Sequence, residues 1–151
     1  MTNVYEILQK KGPYFNIIDA SAKVIDAITM MKAENLSYMI VFENNKYVGI
    51  FSERDYAHKV ILENKRSDIA LVKEIMTINF PLVASSDKAE YCMQLMNSAK
   101  TRYLPVFDGK EFKGVITIHD LMRESIAEHE KDLARKNFAA DATKSEMHYW
   151  I

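Results

Sequence analysis

The 151-residue sequence holds a single cysteine, Cys92, which excludes an internal disulfide and any zinc cluster built on several thiolates. Four glycines and three prolines are too few for a collagen-like or low-complexity chain. No sign of charge dominates, since 20 basic and 21 acidic residues leave a formal net charge of −1. That balance disfavours a nucleic-acid binder, whose phosphate contacts need clustered Lys and Arg, and it disfavours an acidic tail protein. No apolar run approaches the roughly 20 residues that span a bilayer. Residues 1–11 are polar and mixed in charge, without the apolar centre of a secretory signal, so the expected location is the cytoplasm.

Catalytic signatures are missing too. The chain has no GxGxxG, no GxxxxGK[ST] and no HExxH. His58, His119, His129 and His148 are scattered, with no metal-ligand spacing. Nothing assembles a nucleophile, a base and an oxyanion donor, so the sequence reads as a non-enzyme that needs no metal. Cys92 lies between Ala89 and Met96 on an apolar helical face and reads as a small buried hydrophobe. Met30, Met31, Met93 and Met96 fit the same core periodicity. Apolar residues make up 48% and charged residues 27%, as in soluble globular proteins, and this length buries a core without staples.

What the chain does have is a repeat. Residues 36–61, LSYMIVFENNKYVGIFSERDYAHKVI, align without a gap on residues 101–126, TRYLPVFDGKEFKGVITIHDLMRESI, an offset of 65. Tyr38, Val41, Phe42, Gly49, Asp55 and Ile61 meet identical residues at Tyr103, Val106, Phe107, Gly114, Asp120 and Ile126. Upstream at the same offset, Val24, Ala27, Ile28 and Met31 lie over Ala89, Cys92, Met93 and Met96 with amphipathic helical spacing. Ser21 and Ser86 precede these helices as expected N-caps. Further up, Val4-Tyr5-Glu6-Ile7-Leu8 matches Val72-Lys73-Glu74-Ile75-Met76 at an offset of 68, so the first copy carries about three extra residues in its opening loop.

Each copy therefore predicts a leading segment, a short strand, a helix, a strand, a turn, a strand and a closing helix. The central strands are 38–42 and 103–107, with turns at 43–46 and 108–110. Asp108-Gly109 is a strong hairpin signal. The following strands are 47–51 and 112–116, and the closing helices begin near Glu53 and Ile118. The expected divisions are 1–66, 67–128 and a tail at 129–151. The tail reads as a charged helix that loosens over 137–143 and ends in the aromatic Met147-His148-Tyr149-Trp150-Ile151.

The doubled pattern h-h-V-h-(D/E)-turn-h-x-G-h-h-(S/T)-x-x-D resembles a tandem cystathionine-β-synthase (CBS) domain pair, or Bateman module, over roughly residues 4–127. The resemblance implies an α+β fold of two βαββα CBS repeats packed as a pseudo-twofold CBS pair. It also implies two clefts that take adenosyl ligands, and dimerisation through helices into a disc. AMP, ADP, ATP, NADH and S-adenosylmethionine occur as ligands in that family, with AMP the first expectation here. The expected role is that of an energy or cofactor sensor acting on another protein.

Ser52-x-x-Asp55 and Thr117-x-x-Asp120 have a capping-box pattern, in which a hydroxyl and an acid satisfy free amides at a helix start. The same spacing suits a ligand, because an ionised Asp accepts ribose hydroxyls and a helix start favours phosphate. The resemblance assigns Asp55 and Asp120 to ribose, and Ser52 and Thr117 to ribose or phosphate. Arg54 is a forked cation suited to phosphate, and His119 is its weaker counterpart, so the two clefts are expected to differ. By resemblance the adenine is held by backbone groups and apolar contacts along Tyr38, Met39 and Ile40, or Tyr103, Leu104 and Pro105. These residues also read simply as core strands. Tyr14-Phe15-Asn16 and Thr77-Ile78-Asn79 occupy the segments that close over the base. Lys65 and Arg66 sit in a linker within reach of a phosphate, or are ordinary surface charge. The alternative function is a dimerisation or adaptor module with empty clefts.

Overall fold

The computed structural model describes the backbone of residues 2–148 and the side chains of residues 2–142, so the aromatic end of the tail lies outside the described residues. The elements run in the order α1 (Val4–Lys11), β1 (Ile17–Asp19), α2 (Val24–Glu34), β2 (Tyr38–Glu43), β3 (Lys46–Ser52) and α3 (Glu53–Asp55). A π-helical turn, Tyr56–Ile61, continues α3. Then come α4 (Val72–Ile75), α5 (Ala89–Ala99), β4 (Tyr103–Asp108), β5 (Glu111–Thr117) and α6 (Ile118–His148). The fold is α+β, built on one sheet of order β1-β2-β3 and a second sheet of β4 and β5.

The sequence repeat is reproduced strand by strand. Tyr38 pairs with Ser52 and Tyr103 with Thr117, and both hairpins shift register at the same place, after Val41 and after Val106. In the first hairpin Asn44 and Asn45 both take positive φ, 52° and 61°, which suits the twist of a two-residue turn. In the second, Gly109 takes φ 62°. Ile40 and Ile50 from one sheet meet Val115 from the other in a shared cluster flanked by Tyr38, Tyr103, Phe42 and Phe112. Neither sheet buries that face alone, and pairing them removes both faces from water.

The leading segments cross over. Val72 and Ile75 of α4 lie in the core of the first sheet with Val24, Met39 and Phe51. Val4 and Ile7 of α1 lie in the core of the second sheet with Cys92, Leu104 and Ile116. The crossing also caps the helices, and here the expected N-caps give way. Lys23 and Lys88 occupy the cap positions without a side-chain cap. The α2 amides of Val24 and Ile25 donate instead to the Ala70 and Ser67 carbonyls, and the Ala89 amide of α5 donates to the Thr2 carbonyl. Ser21 turns back to Asp19 Oδ1 at 2.5 Å.

Two further expectations are corrected. The short strand of the second copy is reduced to a single parallel bridge, Val83 to Val106. In the first copy the Ile40 amide donates to Asn16 O at 2.7 Å. The equivalent residues are Pro105 and Pro81, so the donor is gone and the strand cannot extend. The tail also does not loosen, because α6 runs unbroken from Ile118 to His148. Residues 137–143 contain neither Gly nor Pro and carry three alanines, the strongest helix former.

Candidate functional site

The site grows from the end of β3. Ser52 and Asp55 form a complete capping box at the start of α3. The Ser52 amide donates to Asp55 Oδ2 at 3.0 Å, and the Asp55 amide donates to Ser52 Oγ at 3.2 Å. Both side chains are buried. The other carboxylate oxygen, Oδ1, accepts from Thr77 Oγ1 at 2.7 Å and lies 3.0 Å from Lys59 Nζ. Lys59 also donates to Thr77 Oγ1 and to Ile75 O. Thr77 is held there by reciprocal backbone bonds with Ile50 at 2.9 and 3.0 Å. Gly49 permits that approach, because a Cβ there would lie 2.9 Å from Thr77 O.

Asp55 faces a cleft of about 500 Å³ walled by both repeats. Ser52, Arg54, Asp55, Thr77, Tyr103, Thr117 and His119, all singled out in the sequence, line it together. Asn79 of the marked 77–79 segment joins them, and the structure adds Lys59, His58, Phe80, Lys100 and Arg102. Phe80 meets Tyr103 edge-on with centroids 6.5 Å apart, and Tyr103 meets Tyr38 at 4.9 Å. Burial holds the Tyr103 phenol above its ordinary pKa, so it stays protonated and able to donate. Arg54, Lys59, Lys100 and Arg102 face only two carboxylates, Glu53 and Asp55. This cationic excess sits in a chain of net charge −1, so it is local to the cleft.

Other expected residues fall elsewhere. Met39, Ile40 and Leu104 are fully buried and Pro105 is buried, so their side chains serve the core. Lys65 pairs with Glu63 at 3.4 Å and Arg66 with Asp68 at 2.6 Å, and neither lines the cleft. Asp120 and Tyr38 do not line it either. Asp120 has its own reciprocal cap with Thr117 and meets Lys11 and Arg123. The helix start is not a free amide cradle, because Glu53 N–H donates to Ser37 O and Asp55 N–H to Ser52 Oγ. Cys92 is fully buried and its thiol is pushed up to about 11, chiefly by burial, which makes it a core residue.

Some of the missed residues had a signal. Lys59 stands four residues after Asp55, the spacing of a helical ion pair. Phe80 follows the Thr77-Ile78-Asn79 segment that the sequence did mark. Lys100 and Arg102 carried none, because only the packing of one sheet on the other brings the start of β4 to Asp55.

Among the described residues no group of three or more His, Cys, Asp or Glu side chains is placed to hold a metal. No described helix is long and apolar enough to cross a membrane. The CBS domain family model matches residues 4–61 and again residues 72–127. The chain belongs to the CBS domain family. Its two CBS repeats make it a CBS pair. It is 32% identical over 119 residues to the mitochondrial CBS domain-containing protein CBSX3 of Arabidopsis thaliana, covering 76% of this chain and 58% of that one. A solved CBS-domain protein from Burkholderia ambifaria is 35% identical, with a TM-score of 0.77 over 83% of this chain and 95% of that one. A hexameric CBS-CP12 protein from bloom-forming cyanobacteria is 29% identical, with a TM-score of 0.69 over 80% of this chain and 66% of that one. The CBS pair thus spans little more than half of the Arabidopsis relative.

Proposed function

We propose that this CBS pair is a regulatory module that binds an adenosine-containing nucleotide in the Asp55 cleft. One observation carries the reading. A single cleft joins a buried carboxylate and hydroxyls, two aromatic side chains and an excess of fixed cations, and it draws them from both repeats. Asp55, Ser52 and Thr77 match ribose hydroxyls. Phe80 and Tyr103 offer apolar faces to a base. Arg54, Lys100 and Arg102 meet phosphate, with Arg as the forked donor. Lys59 is free to leave Asp55 for a phosphate because its chain is part-exposed. AMP, ADP and ATP fit this cation-rich rim better than S-adenosylmethionine, which is itself cationic at sulfur. Because the cleft is walled by both repeats, a ligand that bridges them favours one arrangement of the halves over another. That differential affinity is what a sensor needs.

The test is thermal unfolding with AMP, ADP, ATP, NADH and S-adenosylmethionine at about 100 times Kd, where native-state binding adds roughly 2.7 kcal/mol. The expected result is a raised Tm with at least one adenine nucleotide and none in Asp55→Ala. No shift with any ligand, or an undiminished shift in Asp55→Ala, overturns the proposal. The second reading, an adaptor with empty clefts, draws on α6. Met122, Ile126, Leu133 and Phe138 of that helix are exposed, as on a surface that meets another protein.

A further inference from the structure

The two repeats differ most where α1 and α4 meet the sheets. Both helices start at corresponding residues, Val4 and Val72, but α1 runs for eight residues and α4 for four. The extra turn ends in Lys10 and Lys11. Lys10 pairs with Glu124 at 3.0 Å on α6. Lys11 points between the two repeats on the Asp120 side and spends all three of its ammonium donors there, two on the second repeat and one on the first. Its Nζ donates to Asp120 Oδ2 at 2.9 Å, to Val115 O at 2.9 Å and to the Tyr38 hydroxyl at 3.1 Å. It also stands 5.7 Å from the Tyr38 ring centroid.

Each of these partners has a counterpart in the Asp55 cleft. Asp120 corresponds to Asp55, Tyr38 to Tyr103 and Val115 to Ile50. In the first cleft the Ile50 carbonyl and the Asp55 carboxylate are both met by Thr77, through its amide and its hydroxyl. In the second, one lysine does both jobs and covers the tyrosine as well. Asp120 is almost fully buried and is also held by Arg123 at 2.5 Å, so its charge is balanced twice from within the chain. A ribose arriving at Asp120 must break three lysine contacts and leave that ammonium without its partners. A ribose arriving at Asp55 displaces Lys59 and Thr77 from one carboxylate oxygen, and it has the 500 Å³ cleft with its aromatic side chains to enter. The hollow beside Asp120, about 350 Å³, is lined by Lys10, Lys11, Arg123 and Glu124, without the aromatic wall.

We infer that Lys11 is a built-in occupant of the second cleft, so that each chain takes a single nucleotide, at Asp55. The stoichiometry rests on the nucleotide reading above, but the placement of Lys11 does not. Two measurements on the full chain separate them. In the first, acetic anhydride labelling without nucleotide is followed by mass spectrometry. Lys11 is expected to react several-fold more slowly than Lys10 and to catch up in Asp120→Ala. Equal rates for Lys11 and Lys10 in the native chain overturn the inference, whatever the nucleotides do. In the second, calorimetric titration with AMP is expected to give one site per chain, lost in Asp55→Ala. Lys11→Met is expected to give two sites, with the added one lost when Asp120→Ala is combined with it. Lys11→Gln serves if the methionine variant does not fold. Two sites in the native chain, or still one in the folded Lys11 variant, overturn the inference. If AMP does not bind the native chain at all, the nucleotide reading falls and the labelling alone decides the role of Lys11.

Discussion

Gly49→Ala tests whether the site depends on one close backbone approach. Gly49 lies in β3, and its φ is outside the left-handed range, so backbone strain is not at issue. At an unstrained position, replacing Gly by Ala stabilises by about 0.4–1 kcal/mol through the unfolded chain. Space opposes that gain. The new Cβ would lie 2.9 Å from Thr77 O, 3.0 Å from Met76 Sδ and 3.2 Å from Ile78 Cγ2. The first of these is backbone and cannot rotate away, so residues 76–78 must retreat by a few tenths of an ångström. Overpacking of this kind costs about 1–3 kcal/mol. The cost exceeds the gain, and the expected net loss is about 1–2 kcal/mol. For a chain of this size that lowers Tm by about 2–8 °C. The same retreat pulls Thr77 away from Asp55, now 2.7 Å from its hydroxyl, so nucleotide affinity should fall as well. The assay is thermal unfolding of both proteins, followed by titration with AMP. A Gly49→Ala protein that melts at or above the native temperature refutes the reasoning.

Other expectations rest on single groups. Among the described residues the Tyr47 hydroxyl is buried without a hydrogen-bond partner, beside Phe107 and Phe112, and burial holds its pKa above the ordinary phenol value. Tyr47→Phe removes an unpaired polar group, so its Tm should equal or exceed the native value; a clear drop in a melting experiment would reveal an overlooked partner. The Cys92 thiol, pushed up to about 11, binds its proton more tightly when folded than when unfolded. Its contribution is therefore complete below the unfolded thiol pKa and is lost as pH rises through about 11. Iodoacetamide at pH 8 should label the unfolded chain and spare the native one; rapid native labelling would contradict burial. Ser85 donates to Asp108 through both hydroxyl and amide, at 2.6 and 2.9 Å, and these bonds hold the carboxyl below its ordinary range. That contribution is present above the unfolded carboxyl pKa and is lost as pH falls through the folded one. In Ser85→Ala, an NMR titration should show the Asp108 carboxyl moving up towards its usual value.

Duplication, strand pairing and core faces can be read along the chain, because each depends on residues within one turn or one hairpin. Tyr38 with Ser52 and Tyr103 with Thr117 follow from an apolar alternation closed by Asn44-Asn45 and by Gly109. The buried faces of α2 and α5 follow from their helical spacing at Val24, Ala27 and Met31 and at Ala89, Cys92 and Met96, whereas Met30 and Met93, expected in the core, are exposed. The Ser52–Asp55 and Thr117–Asp120 boxes, whose members are three residues apart, follow from spacing too. The loss of the second short strand was also written in Pro81 and Pro105, but only as a pair, since neither proline matters until the two segments lie side by side. Tertiary closure decided the rest. Helix starts that needed caps found them in the Ala70, Ser67 and Thr2 carbonyls, because the leading segments exchange between halves. That exchange places Thr77 at Asp55 and Lys11 at Asp120. Two sites that look alike in sequence thereby meet different partners, with Asp55 held by Thr77 and Lys59 at the edge of a cleft and Asp120 held by Lys11 and Arg123. Periodicity reports which side of an element is buried, but which distant charge a buried carboxylate meets depends on how the whole chain closes.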